Sequence, residues 1–370
     1  MFPDLSALRR RRSSKWVTYP DDVLPAFVAE MDVALAPPVH DALIEAIGLG
    51  DVGYAEPGGV FEAFAGFAQR RFGWSPHPAR MRVIPDVMSG IVEVLRVLTA
   101  PGDGVVINPP VYPPFFEGIP EAGRRVVEVP LVHGELDLDG LERAFAAGAR
   151  AYLLCNPHNP TGRALERPVL EAVAALAERY DVLVLADEIH APLTSPGARH
   201  TPFAALGESR SVVFTSASKA FNTAGLKCAL AVAGSDGTSR QLERIPEELQ
   251  YRAGLLGVIA AEAAFRHGDA WLDEVVATLG ARFDRLNALL AEQLPAVRYR
   301  RPEAGYLAWL DCRELALGDD PAATFLARGR VALVSGPDFG SPGRGFARLN
   351  VGTSDALLTE AVRRMAAAVD

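Results

Sequence analysis

Short apolar runs alternate with longer amphipathic stretches through the first two-thirds of the chain. Residues 105–107, 152–155, 182–186 and 212–214 are continuous apolar runs. Each is too short for a helix and is bounded by turn-forming or polar residues, so each predicts a buried strand. Between them, residues 141–147 and 168–180 carry helical patterning. Strand–helix alternation of this kind predicts a mostly parallel central sheet flanked by helices, an α/β fold. Residues 241–294 are rich in Ala, Leu, Glu and Arg with few breakers, and predict long helices leading out of that sheet. Strand-like segments at 306–310, 331–334 and 347–351, between helical runs, then predict a smaller C-terminal α/β domain. The expected organisation is an N-terminal arm over 1–32, a large domain over 33–245, and linking helices with the small domain over 246–370.

Composition narrows the function classes. With 370 residues, 49% of them hydrophobic, the chain can bury a large core without disulfides or metals. A net charge of -9 argues against a nucleic-acid surface. Arg9, Arg10, Arg11 and Arg12 resemble a basic arm or a twin-arginine export signal, but Ser13, Ser14, Lys15 and Trp16 are no apolar export segment, so a solvated arm is expected. No apolar run has the length of a membrane-spanning helix, and no membrane partner is expected. Cys155, Cys228 and Cys312 are too scattered for a disulfide framework or a zinc site, which fits a reducing cytoplasm.

Candidate chemistry gathers where the predicted strands stop. The run at 152–155 leads into Asn156, Pro157, His158, Asn159, Pro160, Thr161 and Gly162, a turn that fixes Asn159 just beyond a strand end. The run at 182–186 ends at Asp187, Glu188, Ile189 and His190, and the run at 212–214 leads through Ser216 and Ser218 to Lys219. Open α/β sheets bind ligands at the carboxyl ends of their strands, so these residues are expected to share one pocket. A lysine whose amine is kept neutral by burial or nearby positive charge can attack a carbonyl and be held as an imine.

Taken in order, Lys15-Trp16, Ala29 to Asp32, Gly53-Tyr54, Tyr112 among prolines, Cys155 to Gly162, Asp187 to His190, Ser218 to Asn222 and Arg348-Leu349-Asn350 resemble the fold-type I pyridoxal-phosphate enzymes. Within that group the chain is most similar to the class I/II aminotransferase-like carbon–sulfur lyases, the MalY/PatB type of cystathionine β-lyase. His158, the Asp-Glu-Ile-His run and the Tyr-Pro-Pro-Phe run carry the lyase likeness.

The resemblance implies a role for each matching residue. Lys219 binds the cofactor, pyridoxal 5'-phosphate, and moves protons. Asp187 holds the proton on the ring nitrogen, Asn159 donates to the phenolic oxygen, and Tyr112 covers the ring. His190 stands where related aminotransferases carry a tyrosine, as a second donor or as a structural histidine. Val87 and Met88 supply backbone donors to the phosphate, with Ser216 and Lys227; Asp86 stands where a glycine is usual, an unexpected charge beside a dianion. Tyr54 reaches the phosphate of a neighbouring subunit, implying a homodimer with shared sites. Arg348 holds the carboxylate of an amino-acid substrate, and Asp32 is placed at the substrate entrance.

Removal of an α-proton followed by loss of a β-thiolate would release a thiol, pyruvate and ammonia. Without a leaving group the same residues would support transamination. The lyase likeness favours elimination from L-cystathionine or a related cysteine thioether. An aminotransferase, or an aminotransferase-like protein with a regulatory binding role, are the alternatives.

Overall fold

The strands of the chain build one large sheet and two small ones. The computed structural model describes residues 1–369. In chain order the strands are β1 (Leu24–Pro25), β2 (Met81–Ile84), β3 (Gly104–Ile107), β4 (Arg125–Glu128), β5 (Ala151–Cys155), β6 (Leu183–Asp187), β7 (Ser211–Thr215), β8 (Ala229–Ala233), β9 (Leu307–Asp311), β10 (Val331–Ala332), β11 (Val334–Ser335) and β12 (Phe346–Asn350). Seven of them form the central sheet in the order β2-β8-β7-β6-β5-β3-β4. From β4 to β7 every pairing is parallel; β8 runs antiparallel to both β7 and β2.

Burial on both faces explains why the strand sequences lack polar alternation. Every residue of β5, β6, β7 and β8 is buried. Period two still decides which core each side chain joins. Tyr152, Leu154, Val184, Ala186 and Val213 point into one apolar cluster, and Leu153, Cys155, Leu183, Leu185, Val212 and Phe214 into the other. Sequence patterning alone did not single out β4 or β8. The four residues of β4, Arg-Val-Val-Glu, sit on an exposed edge. Three of the five β8 residues are alanine, a helix former, which becomes a strand because the sheet buries it.

Two expectations change at the periphery. Residues 331–334 form two short strands, not one, because the chain switches partners at Leu333: β10 pairs in parallel with β1, and β11 pairs with β12. The N-terminal segment is solvated only in part: Arg9, Arg10 and Arg12 are exposed, but the stretch is anchored at both ends. Leu8 and Lys15 are buried, and the Arg11 guanidinium donates to the Val33 carbonyl at 2.8 Å.

The long helices predicted over 241–294 are Leu255–His267 and Asp269–Gln293. The first packs on helix Val60–Phe72, with Phe265 against Phe64 and Phe67 at ring separations of 5.3 and 5.1 Å. Its start also abuts the turn that precedes Lys227. A side chain at Gly254 or Gly257 would run into the Leu226 carbonyl oxygen, a backbone atom with little freedom to move.

Gly257→Ala therefore tests this contact by the sign of its effect. Alanine is favoured over glycine in a helix by about 1 kcal/mol, yet the collision should outweigh that gain. Thermal unfolding is expected at a lower temperature than in the native protein, and a raised midpoint would show that the turn yields.

Candidate active site

Strands β5, β6 and β7 end side by side, and their carboxyl ends deliver the site. A cavity of about 270 Å³ opens there, and its lining includes Tyr112, Asn159, Asp187, His190, Ser216, Lys219, Lys227, Val87 and Met88. Nine of the residues singled out from sequence are thus brought together. The physical reason is register: adjacent parallel strands ending at the same level place the residues beyond them within reach of one another.

The centre of the cavity is electrostatically tense. Burial, with the nearby Arg348 charge, pushes the Lys219 amine down to about 8, against the opposing pull of Asp187 and Glu30. Burial raises the Asp187 carboxyl to about 7, although the Ile189 amide, donating at 3.2 Å, and the Lys219 charge act the other way. His190 is pushed down to about 3 by burial and by the Lys219 and Arg348 charges, so its ring is neutral, and its Nδ1 is buried without a hydrogen-bond partner. Tyr112 is pushed up to about 12, first by burial and then by Asp187, and stays a neutral phenol.

Arg348 lies beside this cluster. It extends from β12 and is buried, with Nη1 donating to Asn159 Oδ1 at 3.0 Å and Nη2 to the Phe27 carbonyl at 3.1 Å. Its Nε has no partner, and among the described residues no carboxylate pairs with it. Because Arg348 occupies Asn159 Oδ1, the Asn159 amide nitrogen is left to donate into the cavity.

Behind the Asn159 turn, His158 bridges to the Asn108 carbonyl at 3.3 Å and to Thr161 Oγ1 at 3.2 Å. Burial pushes His158 down to about 4, so it serves as a neutral bridge. Tyr152 donates to Asn108 Oδ1 at 2.6 Å and fastens that bridge to the sheet.

At the other end of the cavity, helix Val87–Leu98 begins with Asp86 as its cap, accepting the Ser89 amide at 2.8 Å. The first amides of a helix have no partner within it, so those of Val87 and Met88 are available to an anion. Lys227, which has φ +59°, brings its amine to the same end. The Ser216 hydroxyl lines the cavity but gives its hydrogen to the Cys228 carbonyl at 2.6 Å.

Sequence reasoning missed the strap that lies over Lys219. Five successive carbonyls, from Phe27 to Met31, are each held by a side chain from elsewhere. Arg348 takes Phe27; Asn350 takes Val28 and Glu30, both at 2.7 Å; Asn222 takes Met31 at 2.8 Å. The Ala29 carbonyl accepts from both Lys219 Nζ at 3.1 Å and the Tyr306 hydroxyl at 2.8 Å. Tyr306 read only as part of an apolar run, because nothing local marks a tyrosine just before a strand as the partner of a carbonyl 277 positions away. Ile189 and Ser218, which also line the cavity, had a usable signal in their places beside Asp187 and Lys219.

Asp32 is placed differently from expectation. It does not line the cavity; it forms a buried ion pair with Lys15 at 2.9 Å and accepts from Trp16 Nε1 at 3.2 Å. Lys15 also donates to the Glu30 carbonyl at 3.0 Å, so the pair pins the strap. Tyr54 is 84% exposed and does not line the cavity.

The donor set fits a flat aromatic group carrying an amine-reactive carbonyl, a ring nitrogen and a phosphate. Asp187 is a buried carboxylate in no ion pair among the described residues, His190 Nδ1 is an unpartnered ring atom, and a helix start faces the far end.

Two measurements test this geometry. The rate at which a carbonyl reagent captures Lys219 in cofactor-free protein should rise with pH through about 8 and level off above it, since only the neutral amine attacks. A rise centred near the ordinary lysine value would contradict the burial. Lys15→Met should leave the Asp32 carboxylate buried without its cation and cost about 3–5 kcal/mol, read as a lower urea midpoint.

Comparison with known proteins finds relatives along nearly the whole chain. A Mycobacterium tuberculosis protein assigned as a candidate cystathionine β-lyase is 47% identical over 390 residues, covering 98% of this chain and 96% of that one. The cystathionine β-lyase of Corynebacterium glutamicum is 36% identical over 372 residues, covering 99% of each. A solved structure from Corynebacterium diphtheriae, described as a candidate PLP-dependent β-cystathionase, superposes with a TM-score of 0.95 at 36% identity, covering 100% of this chain and 98% of that one. Residues 66–365 match the family described as aminotransferase class I and II, and the chain belongs to that family.

Proposed function

We propose that this chain is a pyridoxal-phosphate-dependent carbon–sulfur β-lyase, which cleaves L-cystathionine or a related cysteine thioether to a thiol, pyruvate and ammonia. The observation that carries the reading is the Lys219 amine, held beside Asp187 and Arg348 at the ends of three parallel strands in a chain whose full-length relatives are named cystathionine β-lyases. When bound, the cofactor supplies an electron sink for charge that develops at the substrate α-carbon.

In this reading Asp187 holds a proton on the ring nitrogen, and the raised pKa of its buried carboxyl reflects how strongly the site calls for a cationic partner. The Asn159 amide and the His190 ring donate to the phenolic oxygen, and Tyr112 covers the ring. The Val87 and Met88 amides and Lys227 serve the phosphate, joined by Ser216 once its hydroxyl turns from the Cys228 carbonyl. Arg348 binds the substrate carboxylate, which compensates a buried guanidinium whose Nε has no partner within the chain. Lys219 takes the α-proton, and the resulting ammonium has the Ala29 carbonyl to donate to, at the position its Nζ already holds. The strap keeps that acceptor in place.

The homodimer is part of the proposal. Ile44, Ile47, Leu49, Val52 and Tyr54 form an exposed apolar stretch, 57–84% accessible, on and just after helix Pro37–Leu49. Packing that stretch against a second copy would bury it and bring Tyr54 to the partner's phosphate end. Among the described residues no helix is long and apolar enough to cross a membrane. The three cysteines are unpaired and buried, which supports a cytoplasmic setting.

Holoprotein mixed with L-cystathionine and no added keto acid should release pyruvate, ammonia and homocysteine over many turnovers, and Lys219→Ala should abolish the release. A single turnover that leaves the cofactor in its amine form would assign transamination instead. Leu49→Asp should convert the dimer to monomers in sedimentation and cut turnover severely; a native protein that sediments as a monomer with full activity would remove the shared-site part of the proposal.

A further inference from the structure

The phosphate end of the cavity already contains a negative charge supplied by the chain. Asp86 has extended backbone, φ −158° and ψ 166°, and its Oδ1 caps helix Val87–Leu98 through the Ser89 amide. Its Oδ2 lies 3.2 Å from Lys227 Nζ. Both side chains line the same cavity as Val87 and Met88. Apart from Lys219, Lys227 is the only cation in that lining among the described residues. The Ser216 hydroxyl, a further donor, is turned to the Cys228 carbonyl.

We propose that Asp86 is a built-in competitor for the cofactor phosphate, occupying Lys227 and the positive helix start and so weakening the hold of this chain on its cofactor. The inference rests on the pyridoxal-phosphate reading of the site. Its charge balance is simple: the positive helix terminus, equivalent to about half a charge, and one lysine face one carboxylate before any ligand arrives. A dianion must then share Lys227 with Asp86 at close range, and the two anions repel.

Capping does not call for that charge. Asparagine and serine cap helices about as well as aspartate, so the helix can begin equally well without a carboxylate. Half-exposure of the pair, 37% for Asp86 and 57% for Lys227, means solvent screens the repulsion and keeps it moderate. The opposite reading, in which Asp86 steadies Lys227 for the phosphate, predicts that neutralising Asp86 loosens the cofactor.

The two readings separate on binding alone. Native protein, Asp86→Asn and Asp86→Ser are prepared as holoenzymes. Cofactor loss on dilution is followed by absorbance, and the dissociation constants for pyridoxal phosphate and for phosphate-free pyridoxal are measured by titration after the cofactor is removed. Both variants keep a capping side chain, so each checks the other against a folding defect. The expected result is pyridoxal phosphate bound about tenfold more tightly than by the native protein, with pyridoxal unchanged and the difference shrinking as salt is added. Equal or weaker binding of pyridoxal phosphate by the variants overturns the proposal, as does an equal gain for pyridoxal. Native protein that binds no pyridoxal phosphate would instead overturn the parent reading, a result that a mere failure of the Asp86 inference would not produce.

Discussion

Two positive charges, on Lys219 in the cavity lining and on the buried Arg348 beside it, lie close enough to act on one another, and the surrounding hydrogen bonds hold them there. Burying like charges together is costly unless dipoles or anions compensate. The anions that lower that cost for Lys219 are Asp187 and Glu30. Arg348 is held by neutral oxygens, those of Asn159 and Phe27. The consequence is chemical: the amine becomes a usable base near neutral pH, and the guanidinium awaits an anion.

The strap from Phe27 to Met31 is the device that reconciles these charges with a low-dielectric site. Its carbonyls present a row of dipoles to Lys219, Arg348, Asn350, Asn222, Tyr306 and Lys15, which come from the arm, the central sheet and the C-terminal region. Each carbonyl is satisfied, as buried backbone groups must be. The strap thereby ties the positions of Lys219 and Arg348 to one short length of backbone. The buried pair of Lys15 and Asp32 holds that length of backbone from the far side.

His158 and Tyr306 illustrate how a motif can be visible while its purpose is not. The Asn-Pro-His-Asn-Pro run marks a turn at a strand end from composition alone. Only the fold shows His158 as a neutral bridge between that turn and the end of β3, where the loop to Tyr112 begins.

The sequence by itself determined most of the buried sheet-forming runs and the placement of Asn159, Asp187, His190 and Lys219 at strand ends. These are local facts: a bounded apolar run of four or five residues is too short for a helix and suits a buried strand, and the polar residues next in the chain must leave the sheet at its edge. The features that only the tertiary structure decided depend on residues far apart in the chain. β8 became a strand because the sheet buries its alanines, and residues 331–334 split because two different partners claim them. Asp32 turned from the substrate entrance to Lys15 because a buried ammonium requires an anion within hydrogen-bond reach. Hydrogen bonds over separations of 190 to 322 residues, such as those from Lys219 and Asn350 to the strap, leave no periodic trace in a sequence, because their geometry exists only once the elements are packed.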